Sequence, residues 1–341
     1  MFSKLGLLVV TEGVVSHDDG SYGIDRMLRA FDDGIDGFLV DRVHLRADRS
    51  YSLRDAIEGG NYDQIWLFGG SSPGTGGSNV LAPRALRDDE REALREFMDG
   101  GGGIFATGDH AAVGAPLCAR IPRVRYMRSW GLGGALFAGT TPPKYRGQRA
   151  DTVFASGLTG KPDSETDAFG KPVWVKHRSI YEPHALFAVD AFGGAIRWLP
   201  DHVHEGECFG ELAVPSDLAP ADQVEVGEMC RQFPGDVRPE VIAWSVRRGF
   251  SNAPGNIEDR PSVHGVVSCY DGFRAGVGRI VVDSTFHHWT GGNTRAMLAS
   301  PIGRELLRYP RNIAAWLSPG VNGAAGRAVS RPVARPVAVM Q

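Results

Sequence analysis

Cysteine is scarce in this chain. The four cysteines among 341 residues, Cys118, Cys208, Cys230 and Cys269, stand far apart and form no CxxC pair. That excludes a disulfide scaffold and a cysteine-rich zinc site, and it fits a reducing compartment. A basic excess is missing as well. The formal net charge is −3, which removes nucleic acid as an expected partner. No apolar run approaches the roughly 18 residues of a membrane span. Met1–Lys4 leads straight into Leu5–Val10, too short an apolar run for a secretory signal. The expectation is a cytoplasmic protein whose partner is a small molecule, not a nucleic acid or a membrane, and a homo-oligomer stays open. Three motifs are absent too: the GK[ST] of a phosphate-binding loop, GxGxxG and HExxH.

What is present is alternation. Leu5–Val10 is a continuous apolar run of strand length, the kind buried on both faces of a parallel sheet. Ile24–Phe31 has helical spacing, with Ile24, Met27, Leu28 and Phe31 on one face. Gly37–Leu45 predicts a second strand, Ser52–Glu58 a short helix stopped by Gly59 and Gly60, and Gln64–Phe68 a third strand. Asp88–Met98 is a helix with acids in its first turn and glycines behind it. Gly103–Thr107 is a fourth strand. Strands alternating with helices predict βαβ units with right-handed crossovers. Val241–Val246 and Arg279–Asp283 predict further strands, and Thr294–Leu317 a closing helix or two. One domain over residues 1–320 is expected. It carries a long irregular insertion over about 121–239, which includes Ala195–Leu199, and is followed by a disordered Ala/Val/Pro/Arg-rich tail at 321–341.

The first chemical signal is Gly100–Gly114, GGGGIFATGDHAAVG. A buried strand, a glycine, two polar residues and then small residues suit a sharp elbow at the carboxyl edge of a sheet, where ligands bind in open α/β folds. Gly108 closes the turn and Asp109 and His110 carry the polar groups. The plainer reading is that Asp109 caps the next helix and His110 packs. The second signal is Asp201–Glu211, DHVHEGECFGE, where His202, His204, Glu205, Glu207 and Cys208 crowd together. These are ligand types for zinc, manganese or iron, although a solvated polar loop has the same composition. Third is Asp283–Trp289, DSTFHHW, at another expected carboxyl edge, with His287 and His288. Fourth is Gly69–Gly77, GGSSPGTGG, whose Gly69 and Gly70 N–H groups could meet an oxyanion, although a flexible loop reads as well. The run Arg120–Arg128 could grip a phosphate or carboxylate, or be a solvated face. His44, Cys118, Cys230 and Cys269 read as structural.

Four segments together suggest a family. Tyr62–Gly70 resembles the strand-GG segment of the class I glutamine amidotransferase-like superfamily. Gly101–Ala112 resembles the glycine-rich strand and G-x-H-[AS]-A turn of its ThuA-like (trehalose-utilisation) branch. Pro239–Arg248 and Gly276–His288 are similar to that branch's two late strands. The resemblance implies a three-layer, doubly wound, mostly parallel α/β fold of flavodoxin-like type, and a link to sugar metabolism. It places His110 where an amidotransferase carries its cysteine, so a thiolate glutaminase is not expected. The His-Glu-Gly-Glu segment and the paired histidines depart from the branch.

Two functions follow. One is a hydrolase or lyase on a small polar, sugar-like substrate. His110, Asp109, His287 and Glu205 would be catalytic, and Gly69, Gly70, Gly108 and His288 would bind substrate. A divalent zinc, manganese or iron ion would sit on His110, His204, Glu207 and His288. The other is a non-catalytic binding or assembly module on a scaffold that has lost its nucleophile. A flavin-binding flavodoxin-like protein is a weaker third.

Overall fold

In a computed structural model, residues 5–32, 37–46, 48, 50–71, 85–108, 113–128, 130, 171–175, 183–189, 194–196, 198–199, 208–210, 232–247, 262–284, 286, 289–299, 305 and 307–319 are described. Of the insertion at about 121–239, the part from 131 to 231 falls largely outside them, and the 321–341 tail falls wholly outside.

The first half matches the alternation read from the sequence. Strand β1 (Leu5–Gly13) leads to helix α1 (Asp25–Asp32), β2 (Phe38–Leu45), α2 (Leu53–Gly59), β3 (Gln64–Gly70), α3 (Asp88–Asp99), β4 (Gly103–Thr107) and the short α4 (Ala115–Cys118). Inside the insertion, which was expected to be irregular, lie β5 (Lys171–Val175) and β6 (Trp198–Leu199), and after it come β7 (Glu240–Arg247), β8 (Ser262–Tyr270) and β9 (Ile280–Asp283). Helices α5 (Gly291–Leu298) and α6 (Arg308–Leu317) close the chain.

The sheet order is β2-β1-β3-β4-β9-β8-β7-β5-β6. Its first five strands are all parallel. With β9 as fifth member their order is that of a flavodoxin-like doubly wound sheet. From β9 outward, β8, β7, β5 and β6 are added antiparallel, one after another. The sequence reading anticipated neither β8 nor this extension.

Alternation along each strand loads two separate cores. Leu7, Val9, Trp66, Phe68, Phe105 and Val281 face α1 and α6, packing on Met27, Leu28, Ile313 and Leu317. Leu8, Val10, Ile65, Leu67, Ile104 and Val282 face α2 and α3, packing on Leu53, Leu94 and Met98. Three layers result, because strands buried on both faces must be covered twice. The second layer is tied by a carboxylate. Glu90, fully buried in the first turn of α3, accepts from the Arg87 amide (3.0 Å) and from the Leu53 amide (2.9 Å), which joins α3 to α2. Among the described residues no helix is long and apolar enough to cross a membrane.

Candidate functional site

The parallel half has one topological switch point. From β1 the chain moves out to β2, then returns to place β3 on the other side of β1. The connecting helices therefore leave on opposite faces and open a crevice beyond the carboxyl ends of β1 and β3. Glu12 and Gly13 of β1 lie there, in register with Gly69 and Gly70 of β3. Ser71, the next residue, donates its amide to Glu12 Oε2 (3.2 Å) and its hydroxyl to Glu12 Oε1. Glu12 and Ser71 are each 1% exposed, so this carboxyl group is held inside the protein at the rim of the sheet. Burying such a group is costly unless donors meet it, and Ser71 supplies two.

The glycines permit that closeness. A Cβ on Gly70 would stand 2.7 Å from the Glu12 carbonyl oxygen and from the Val15 amide nitrogen. A Cβ on Gly69 would stand 2.6 Å from Gly114 Cα, and the Gly114 amide in turn donates to the Ser71 carbonyl (2.9 Å). Gly69→Ala therefore pushes main chain against main chain. It is expected to lower unfolding stability by about 1–3 kcal/mol in urea titrations; an unchanged midpoint would mean that the Gly114 turn yields freely.

Two strands further along, β4 ends at Thr107 and Gly108. Arg128, from the run Arg120–Arg128, is fully buried beside them. Its guanidinium lies 4.8 Å over the Trp130 ring, and its Nη1 stands 3.0 Å from where a Gly108 Cβ would be. The Cys118 thiol senses both buried charges. Burial pushes its pKa well up, Arg128 pulls it down and Glu12 pushes it up again, so the thiol form is favoured and thiolate chemistry is opposed. At the end of β9, Asp283 is wholly buried and accepts from Trp289 Nε1 and Tyr309 Oη, both at 3.2 Å. Burial, reinforced by Asp283, holds the Tyr309 phenol well above its ordinary range.

A further cluster sits at the β1–β2 rim. Thr11 Oγ1 lies 3.1 Å from His17 Nε2 and 3.0 Å from His44 Nδ1, and His17 Nε2 is 3.0 Å from the Val43 carbonyl. A carbonyl only accepts, so Nε2 carries the ring proton and His17 Nδ1 keeps its lone pair. That Nδ1 is buried without a hydrogen-bond partner among the described residues. His44 was read as structural, and His17 carried no motif. The signal that could have found it is the polar run Ser16–Gly20 just after the first strand.

Burial is the chief cause that lowers both histidine pKa values below 6.5; for His44 the neighbouring Arg46 charge adds to it. Rings of the unfolded chain thus take up protons near 6.5 while those of the folded chain resist. Stability conferred by the neutral rings is present above that pH and is lost as pH falls through it toward the folded-state values. The urea midpoint is expected to drop between about pH 7 and pH 5, and to drop less in His17→Gln. Equal slopes in the two proteins would contradict this assignment.

Of the residues the sequence singles out, Gly69, Gly70 and Gly108 lie at this carboxyl edge. Gly69 and Gly70 belong to β3 itself and serve close packing there. Asp109, His110, His202, His204, Glu205, Glu207, His287 and His288 lie outside the described residues. Residues that flank these segments are described, and several of them lie close together. Gly108, which precedes Asp109, touches the space of Arg128. Arg128 forms a bridge with Cys208, which follows Glu207. Cys208 Sγ is 3.5 Å from the Val282 carbonyl and 3.8 Å from Ser284 Oγ, at the start of the DSTFHHW segment. Phe286 and Trp289, which flank the paired histidines, are buried in the core next to β9. Among the described residues this edge holds no trio of metal-ligating side chains. The one such trio, His184, Glu240 and Cys269, lies at the opposite edge of the sheet.

No family model matches the chain, and no curated protein matches it. Solved structures similar to it include the following two. A ThuA-like protein from Bacteroides uniformis is 13% identical, with 92% of this chain and 91% of that one covered and a TM-score of 0.39. A cytoplasmic protein of Salmonella typhimurium LT2 is 10% identical, with 92% and 100% covered and a TM-score of 0.38. The flavodoxin-like assignment rests on the strand order itself.

Proposed function

We propose that this chain is a hydrolase or lyase acting on a small polar substrate such as a sugar derivative, at the carboxyl edge of β1, β3, β4 and β9. The observation that carries this reading is that Gly108 and Cys208 both lie against the buried Arg128, while Ser284 Oγ is 3.8 Å from Cys208 Sγ. Three sequence segments rich in histidine and carboxylate thereby start or end at one rim. His110 is the general base, oriented by Asp109, with Glu205 and His287 completing proton transfer and His288 and the Gly108 turn binding substrate. Arg128 sets positive charge beneath that turn, which lowers the cost of negative charge developing on the substrate. A zinc, manganese or iron ion on His110, His204, Glu207 and His288 would supply an activated water. The working partner is a small molecule, with neither nucleic acid nor membrane required.

The test is turnover of a panel of glycosides and amides by the full chain. His110→Ala is expected to lower kcat/KM by about 10²–10⁴-fold while leaving the unfolding curve in place. Unchanged turnover in His110→Ala and in His287→Ala would overturn the assignment. Ligand binding without turnover of any panel member would instead favour a non-catalytic module on this scaffold, a reading supported by the full burial of Cys118, which favours its thiol form.

A further inference from the structure

We infer that the chain carries a second, separate site: a zinc-type divalent cation site made by His184, Glu240 and Cys269, on the edge of the sheet opposite the proposed active centre. Glu240 opens β7 and stands directly across from Cys269 near the end of β8. Directly opposed residues of an antiparallel pair share a face with Cβ atoms about 4.5–5.5 Å apart. His184 comes from a third segment. It precedes a single helical turn, Ala185–Phe187, and its ring lies 5.9 Å from the Trp316 ring of α6. One ligand atom from each residue falls within 4.8 Å of the other two. His184 Nε2 and Cys269 Sγ are already 3.8 Å apart.

The geometry suits tetrahedral zinc. Bonds of about 2.0–2.3 Å set ligand atoms roughly 3.3–3.7 Å apart. The His–Cys pair is almost at that spacing, and the longer, half-buried Glu240 side chain closes the rest. Thiolate, imidazole and carboxylate are all zinc ligands, and three protein ligands leave one tetrahedral position for water. Cys269 is 1% exposed, and a buried thiolate is tolerated far better against a dication than alone. On binding, the Cys269 proton leaves to solvent and the ring proton of His184 moves to Nδ1. That releases the bond accepted there from the Leu186 amide, which at 3.3 Å is long. The cation would clasp the segment around His184 to the β7–β8 pair, adding to the packing of Leu186 and Phe187 in the core they share with Val267 and Cys269.

The full chain, stripped with a chelator and titrated with cobalt(II), tests this. The expected result is one equivalent that gives thiolate-to-cobalt charge-transfer absorption, displaced by zinc. The band is expected to vanish in Cys269→Ser and to persist in Cys208→Ser. Glu240→Gln is expected to weaken cobalt affinity by about tenfold or more while the protein stays folded. The ion set proposed at the other edge contains no cysteine, so the thiolate band reports this trio alone, whatever becomes of that proposal. A folded wild-type chain that gives no such band, or a band that survives in Cys269→Ser, would show a hydrogen-bonded array only.

Discussion

Glu12→Ala is expected to lower the free energy of unfolding by about 3 kcal/mol. Glu12 is 1% exposed at the point where the sheet's strand order reverses, and it takes both the amide and the hydroxyl of Ser71. Alanine leaves those two donors buried without that acceptor, each at a cost of about 1–3 kcal/mol, and leaves a space that the close-packed glycines cannot fill. Glu12→Gln keeps the volume and one acceptor oxygen, so about half of the loss is expected. Urea unfolding with an unchanged slope is the measurement. A Glu12→Ala midpoint equal to wild type would mean that water reaches Ser71 and that the rim is not closed.

Trp66→Ala is expected to cost more, about 4 kcal/mol or above. Trp66 has no exposure and sits on the central strand β3. Its ring lies 5.1 Å from Phe105 and 5.8 Å from Trp289, which also meets Phe68 at 5.3 Å and Tyr309 at 6.1 Å. Tilted and edge-on contacts of this kind add to the area term. The indole N–H donates to Gln64 Oε1, while Gln64 Nε2 donates to the Ala314 carbonyl (2.6 Å) and Ser318 Oγ (2.7 Å) at the end of α6. Removing the indole thus loosens both the aromatic cluster and the seat of the last helix. Trp66→Phe is expected to recover more than half of the loss. Equal destabilisation by both substitutions would place the effect in the Gln64 bond instead of the packing.

Much of the parallel half was legible in the chain. Leu5–Val10 and Gly103–Thr107 are uninterrupted apolar runs, and Asp88–Met98 is bracketed by acids and glycines, so local rules agree with the final structure. Strand β8 was not legible. Ser262, Gly265 and Ser268 break its apolar run, and it is a strand because β7, β9 and the Cys208 amide supply its partners, the last through the Gly265 carbonyl (2.8 Å). The ends of β4 and β9, at Gly108 and Ser284, announced themselves because strand ends followed by polar residues are a local pattern. Glu12 did not. It is one charge inside an apolar stretch, and only its distant partner Ser71 gives it meaning. His17 and His44 were hidden for the same reason, since Thr11 joins residues that are remote in sequence. Arg128 was noted only as part of a basic run, yet it is fully buried, which composition alone cannot show.

The pairing of Phe105 with Val281 has a consequence for how the chain is made. β4 is an interior strand, but its second neighbour is among the last elements synthesised, beyond the whole insertion. In a nascent chain that has emerged only as far as Tyr270, a β2-β1-β3-β4 unit would expose the ladder of β4 as well as the β2 edge, an open template for another chain. The sheet interior seals only when four residues, Ile280–Asp283, arrive. Long-range closure of this kind is slow. The most hazardous interval in the life of this protein therefore lies between the birth of its fourth strand and that of its ninth, when a chaperone would be of greatest use.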